Sequence, residues 1–120
     1  WAGHYYRARR TLKRSNRSYV PVYVVSNFIV HYADNYRAYE KGFFSILKRH
    51  EGSFFTYDDN TVTFEGRDPR EGRMVMFTFP SEALAVAWYN DPDYQALSEH
   101  RRAGTELKFL TMVHGLPPRS

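Results

Sequence analysis

The chain is expected to fold as an α+β domain of the ferredoxin-like type, a β-α-β-β-α-β plait with a four-stranded antiparallel sheet. Three observations predict this. Phe79-Pro80-Ser81 runs directly into Glu82-Ala83-Leu84-Ala85-Val86-Ala87-Trp88-Tyr89, which reads as a strand end, a proline stop and a serine-capped helix. Asn90-Asp91-Pro92 then closes that helix and opens another, with Pro92 near the first helical position, where its missing N–H costs nothing. Finally, the strand-like runs at 19–30 and 73–79 are apolar on both faces, as in a sheet covered on both sides.

The elements follow in order. In 19–30, Tyr23, Val25 and Ile29 share one face and Val20, Val22, Val24, Phe28 and Val30 the other. Asp34 is the expected N-cap of a helix whose stripe is Tyr36, Tyr39, Phe43, Ile46, Leu47 and His50. Lys48 and Arg49 suit its negative end, Gly52 is expected to terminate it, and Gly42 inside it marks a close approach. Residues 53–57 and 61–65 both read as extended, with Asp58-Asp59-Asn60 as a turn or bulge between them. A charged loop leads to the strand 73–79, with Arg73, Val75, Phe77 and Phe79 on one face and Met74, Met76 and Thr78 on the other. Helices are expected over 81–90 and from 91 to about 103, with Gly104 ending the second, and a last strand over 107–113.

Composition bounds the function. At 120 residues the chain is expected to be one domain at 19–116, with a basic arm at 1–18 and a tail at 117–120. The arm carries six basic and no acidic side chains, while the rest of the chain holds 11 basic and 13 acidic ones. The net charge of +4 therefore belongs to the arm, which reads as a solvated extension, with nucleic-acid contact as the weaker alternative. There is no cysteine, hence no disulfide and no thiolate chemistry. No apolar run approaches the ~20 residues of a membrane span, and no signal-peptide core is visible, so a cytoplasmic location is the expectation. The chain begins at Trp1, which leaves a preceding targeting segment open. Helices can cover only one face of such a sheet, so a second copy packed on the rear face, as a homodimer, is expected.

Some residues could carry chemistry. Arg73 lies at the rim of a strand face with Phe77 and Phe79, where its planar fork could clamp a carboxylate or enolate; the structural alternative is an ion pair with Glu65. Arg101 could bind a ligand or pair with Glu99, Asp93 or Asp34. Tyr39, Trp88, Tyr89 and Tyr94 could line an apolar pocket or fill the core. Among five histidines no pair stands at helical metal-binding spacing, so no metal is expected. His31, at the end of the first strand, and His50, on the helical stripe, are candidate general bases. Nucleophile-elbow, phosphate-loop and dinucleotide motifs are lacking, and no cofactor is expected.

Glu65-Gly66, the run from Arg73 to Ser81, Ala87-Trp88-Tyr89, Pro92, Tyr94-Gln95 and Arg101 together resemble domain-of-unknown-function family thirteen-thirty, of the dimeric α/β-barrel superfamily. Asp34, Tyr39, Gly52 and Gly115 also sit where that pattern places them; the likeness covers about 19–115 and is densest over 73–101. Two features depart from it: Glu51-Gly52 stands where the family usually has two glycines, and the basic arm lies outside the pattern. The resemblance implies the plait and the homodimer. Relatives in the superfamily include cofactor-free monooxygenases, dehydratases, haem-degrading enzymes and stress-related binding proteins. Two functions are therefore carried forward. One is a protein binding a small organic carboxylate or aromatic molecule between sheet and helices through Tyr39, Arg73, Phe77, Trp88, Tyr94 and Arg101. The other is a cofactor-independent enzyme with His31 or His50 as base and Arg73 as anion clamp.

Overall fold

The computed structural model describes residues 20–117. The basic arm and the end of the tail lie outside the described residues. In chain order the elements are β1 (Val22–Val30), α1 (Ala33–Arg49), β2 (Ser53–Asp58), β3 (Arg73–Phe79), α2 (Glu82–Asn90), α3 (Pro92–Gly104) and β4 (Thr105–His114). The strands form one sheet in the order β2-β3-β1-β4, and every neighbouring pair is antiparallel. This is the ferredoxin-like α+β plait read from the sequence.

Register decides the faces. Val22, Val24 and Phe28 of β1 pair with Phe79, Phe77 and Arg73 of β3, which points these side chains toward the helices. There the apolar ones bury against Tyr39, Phe43 and Leu47 of α1, Trp88 of α2 and Tyr94 of α3. A bulge at Asn27/Phe28 shifts the pairing with β4 beyond it, while Leu110 and Met112, opposite Ser26 and Val24, pack against the same core. The rear carries Tyr23, Val25 and Ile29 with Met74 and Met76, all half-buried, and Tyr23 stacks on Phe55 at 6.0 Å. The loop after β2 reaches part of that rear: Arg70 lies 5.8 Å from the Phe109 ring, and Asn27 Nδ2 donates to Glu71 O at 2.9 Å.

Three local expectations are corrected. Asp34 is not the N-cap of α1; Tyr32 holds that position without a side-chain cap, and Asp34 instead accepts from Arg37 at 2.7 Å. The entry of α1 is fixed by backbone, with the Tyr32 N–H donating to Gly104 O at 3.0 Å. Residues 61–65 form no strand: β3 already has β1 on one side and β2 on the other, so this segment has no ladder to join. At the end of α1 the left-handed residue is Glu51, with φ 64°, rather than Gly52. Gly52 N–H donates to Leu47 O and Glu51 N–H to Lys48 O, both at 2.9 Å, which is a Schellman cap with glutamate in the glycine position. Gly52 answers a different need, because a Cβ there would lie 2.8 Å from the Phe79 ring.

Other signals hold. Ser81 Oγ accepts from Leu84 N at 3.3 Å and caps α2; Asp91 Oδ1 accepts from Asp93 N at 2.8 Å and caps α3. Gly42 lets α3 come close to α1, since a Cβ there would meet Leu97 Cδ1 at 2.9 Å. No helix among the described residues is long and apolar enough to cross a membrane.

Candidate functional site

Between the sheet and the α1–α3 pair lies a cavity of about 290 Å³. β1 contributes Ser26 and Phe28, β3 Arg73, Val75 and Phe77, and β4 Leu110 to its floor. The helical wall is Tyr36, Tyr39, Glu40, Phe43 and Phe44 of α1 with Tyr94 and Arg101 of α3. Phe54 and Tyr57 of the edge strand β2 complete the rim. The mouth lies where the lining is exposed, between Glu40 and Phe44 on one side and Phe54 and Tyr57 on the other.

The buried end is polar. Tyr94, Ser98 and Arg101 stand four and three residues apart, so all three occupy the inward stripe of α3. Tyr39 and Tyr94 share a hydroxyl–hydroxyl hydrogen bond of 2.7 Å. Arg101 is only 5% exposed, and its guanidinium carbon lies 5.7 Å from the centre of the Tyr39 ring. Burial opposes its charge; the phenol oxygens of Tyr94 and Tyr39 support it, and the balance keeps the group charged. None of the partners expected for Arg101 meets it. Glu99 bonds Arg102 at 3.1 Å, Asp93 bonds Arg49 at 3.0 Å, and Asp34 bonds Arg37. Among the described residues no carboxylate pairs with Arg101. Burial also holds the Tyr39 phenol well above its usual value, so Tyr39 is a neutral O–H donor.

Arg73 at the mouth is the opposite case. Its Nε and Nη2 donate to Asp59 Oδ1 and Oδ2 at 2.7 and 3.0 Å, and Glu40 stands 3.6 Å from Nη1. The guanidinium also lies 4.3 Å from the Tyr57 ring centre and 5.5 Å from that of Tyr36. The Asp59 hydrogen bond raises Arg73 above its ordinary value and holds Asp59 below its own. The expected partner, Glu65, is replaced by Asp59, because the loop turns back at Asp58–Asn60 instead of forming another strand.

Of the residues read from the sequence, the fold brings Tyr39, Arg73, Phe77, Tyr94 and Arg101 to one cavity. Trp88 packs behind it, 5.2 Å from the Phe77 ring and 4.3 Å from that of Tyr94. The two histidines lie elsewhere. His31 is on the surface, 3.4 Å from Glu106, and His50 donates to Asp91 at 2.7 Å. Glu40, Phe44, Phe54 and Tyr57 were not legible as site residues. Exposed positions on a helix and an edge strand become a rim only once those two elements are juxtaposed. One signal was available for the inner end: the seven-residue spacing of Tyr94 and Arg101 places both on one helical stripe. No group of three or more His, Asp or Glu side chains that could hold a metal ion occurs among the described residues.

Fold and cavity define a class: a ferredoxin-like α+β protein with a chamber between sheet and helices. The chain belongs to the family described as domain of unknown function DUF1330, whose pattern matches residues 21–116. Its fold is similar to the crystal structure of RPA0582, a protein of unknown function from Rhodopseudomonas palustris, with TM-score 0.70 at 22% identity over 88% of this chain and 89% of that one. The methylated form of RPA0582 gives TM-score 0.69 at 20% identity, covering 89% of each chain. SnoaB, a cofactor-independent oxygenase from Streptomyces nogalater, gives 0.54 at 12% identity over 84% of this chain and 96% of that one. No match was found among curated proteins.

Proposed function

We propose that this protein binds a small organic molecule, a carboxylate or aromatic compound, in the chamber between its sheet and helices. The observation that supports it is the Arg101 guanidinium, buried beside a cavity with mainly aromatic walls and unpaired with any carboxylate of the described residues. A buried charge with no opposite charge beside it is costly to keep, even where phenols support it. A chain that keeps one beside a chamber has a use for it, and an anionic ligand restores the missing partner. Native mass spectrometry of protein purified from its own host tests the reading: a retained small molecule lost on Arg101→Met is the expected result, and an empty protein in every preparation counts against it.

A second reading, a cofactor-independent enzyme, is favoured by the likeness to SnoaB. The proton carriers around this chamber are Tyr36, Tyr39, Tyr57, Tyr94 and Glu40 rather than His31 or His50. On this reading the phenols serve as donors to a developing oxyanion. Turnover unaffected by His31→Gln and His50→Gln but abolished by Tyr39→Phe would support it.

A homodimer belongs to the same proposal. The half-buried rear residues Tyr23, Val25, Met74 and Met76, with exposed Phe55 and Val113 beside them, are suited to a second copy of the sheet. Light scattering should give about twice 14.2 kDa; a stable monomer would count against it. A cytoplasmic site of action is also proposed, and cell fractionation tests it.

A further inference from the structure

The two guanidiniums of the chamber differ in what already surrounds them, and the difference narrows the ligand. At the mouth Arg73 is held by both oxygens of Asp59 with Glu40 3.6 Å away, so one cation stands among two carboxylates. At the inner end Arg101 stands without a carboxylate among the described residues. The chamber thus lacks one negative charge at the bottom and already has one to spare at the top. Beside Arg101 the two phenols carry two hydroxyl hydrogens, and their mutual bond of 2.7 Å uses one. The other is available to an oxygen acceptor at the same place. Between the ends, Phe28, Phe43, Val75 and Phe77 leave an apolar slot. At about 30 Å³ per water-sized group, 290 Å³ holds about ten such groups. A bare inorganic anion would leave that slot unfilled.

Building on the small-molecule reading above, we infer that the ligand is an aromatic monocarboxylate of about ten non-hydrogen atoms, its carboxylate at Arg101 and the Tyr39–Tyr94 pair and its ring toward the mouth. Arg73 is then a structural latch on the rim and not the anion clamp. A second carboxylate on the far side of the ring would face Glu40 and Asp59, and a neutral head would leave Arg101 uncompensated.

Three probes of nearly one shape test this on the full chain: benzoate, benzamide and terephthalate, titrated with the aromatic ring signals of the protein read by NMR. Benzoate should bind at least about tenfold tighter than either of the others, the scale of one hydrogen bond between charged groups. Arg101→Met should bring benzoate down to the benzamide level, while Arg73→Gln should change benzoate affinity by no more than about threefold. The wild-type ratios stand even if a variant folds badly. Benzamide or terephthalate binding as tightly as benzoate would overturn this inference and leave the pocket reading intact. If neither these three nor toluene perturbs the cavity signals, the pocket reading itself fails and this one with it.

Discussion

Helix α3 carries a charged cluster at each end, and the two are built on opposite terms. At its start Asp91 is saturated. One oxygen accepts from Asp93 N; the other accepts from His50 Nε2 at 2.7 Å and Arg49 Nη1 at 2.8 Å, which ties the end of α1 to the start of α3. Near its end Arg101 is more deeply buried yet meets only phenols and a ring among the described residues. The first cluster is closed by the chain itself and contributes to stability. The second keeps a desolvated charge that no carboxylate of the described residues neutralises, supported instead by the two phenols. A charged group therefore says little about its role until its partners are counted.

The contrast can be broken from the closed side first. Asp91→Ala removes the cap of α3 and leaves Arg49 and His50 without their shared acceptor. A loss of about 2–3 kcal/mol is expected in urea unfolding, from a cap of about 1 kcal/mol and a charge-assisted bond of similar or greater size. The same carboxyl gives a pH signature. Its hydrogen bond to His50, with the Asp93 N–H and Arg49, holds it at about 2, below the ~3.9 of an unfolded aspartate. Because the folded value is the lower one, this contribution is complete above about pH 4 and disappears as pH falls toward 2. Asp91→Asn keeps a capping side chain without the charge and should flatten stability over that acid range.

The open side should respond in the other direction. Arg101→Met removes a buried charge with no carboxylate partner, so stability should stay level or rise by about 1 kcal/mol, while anion binding is lost. A fall of several kcal/mol would mean that Arg101 is satisfied within the fold, and the comparison would collapse. The smallest effect concerns the end of α1. Glu51 holds φ 64° where glycine is at ease, so Glu51→Gly should raise stability by about 0.5–1 kcal/mol, seen as a higher melting temperature. No change would show that Glu51 makes compensating contacts.

Much of the fold was legible because its signals are short-ranged. Ser81 and Asp91 cap the helices they precede, and the period-two pattern of 73–79 marks that run as a strand. The failures had one cause as well: each depended on a distant part of the chain. Asp34 lost its cap role because Gly104, at the far end of α3, already orders the entry of α1. Residues 61–65 carry strand-like side chains, but both edges of β3 were taken. His31 and His50 read as candidate bases from their chemistry and their places at a strand end and on a helical stripe, but their neighbours Glu106 and Asp91 lie 75 and 41 positions away.

By itself, then, the sequence determined the order of elements, the caps of α2 and α3 and which residues share a face of each strand. These follow from periodicity and from hydrogen bonds spanning a few residues. Only the tertiary structure decided which of two similar arginines is spent on the fold. Arg73 and Arg101 look alike along the chain. The separation of Asp59 from the one, and the distance of every described carboxylate from the other, is set by how strands and helices pack, and a guanidinium's role is fixed by what packing brings within about 4 Å of it.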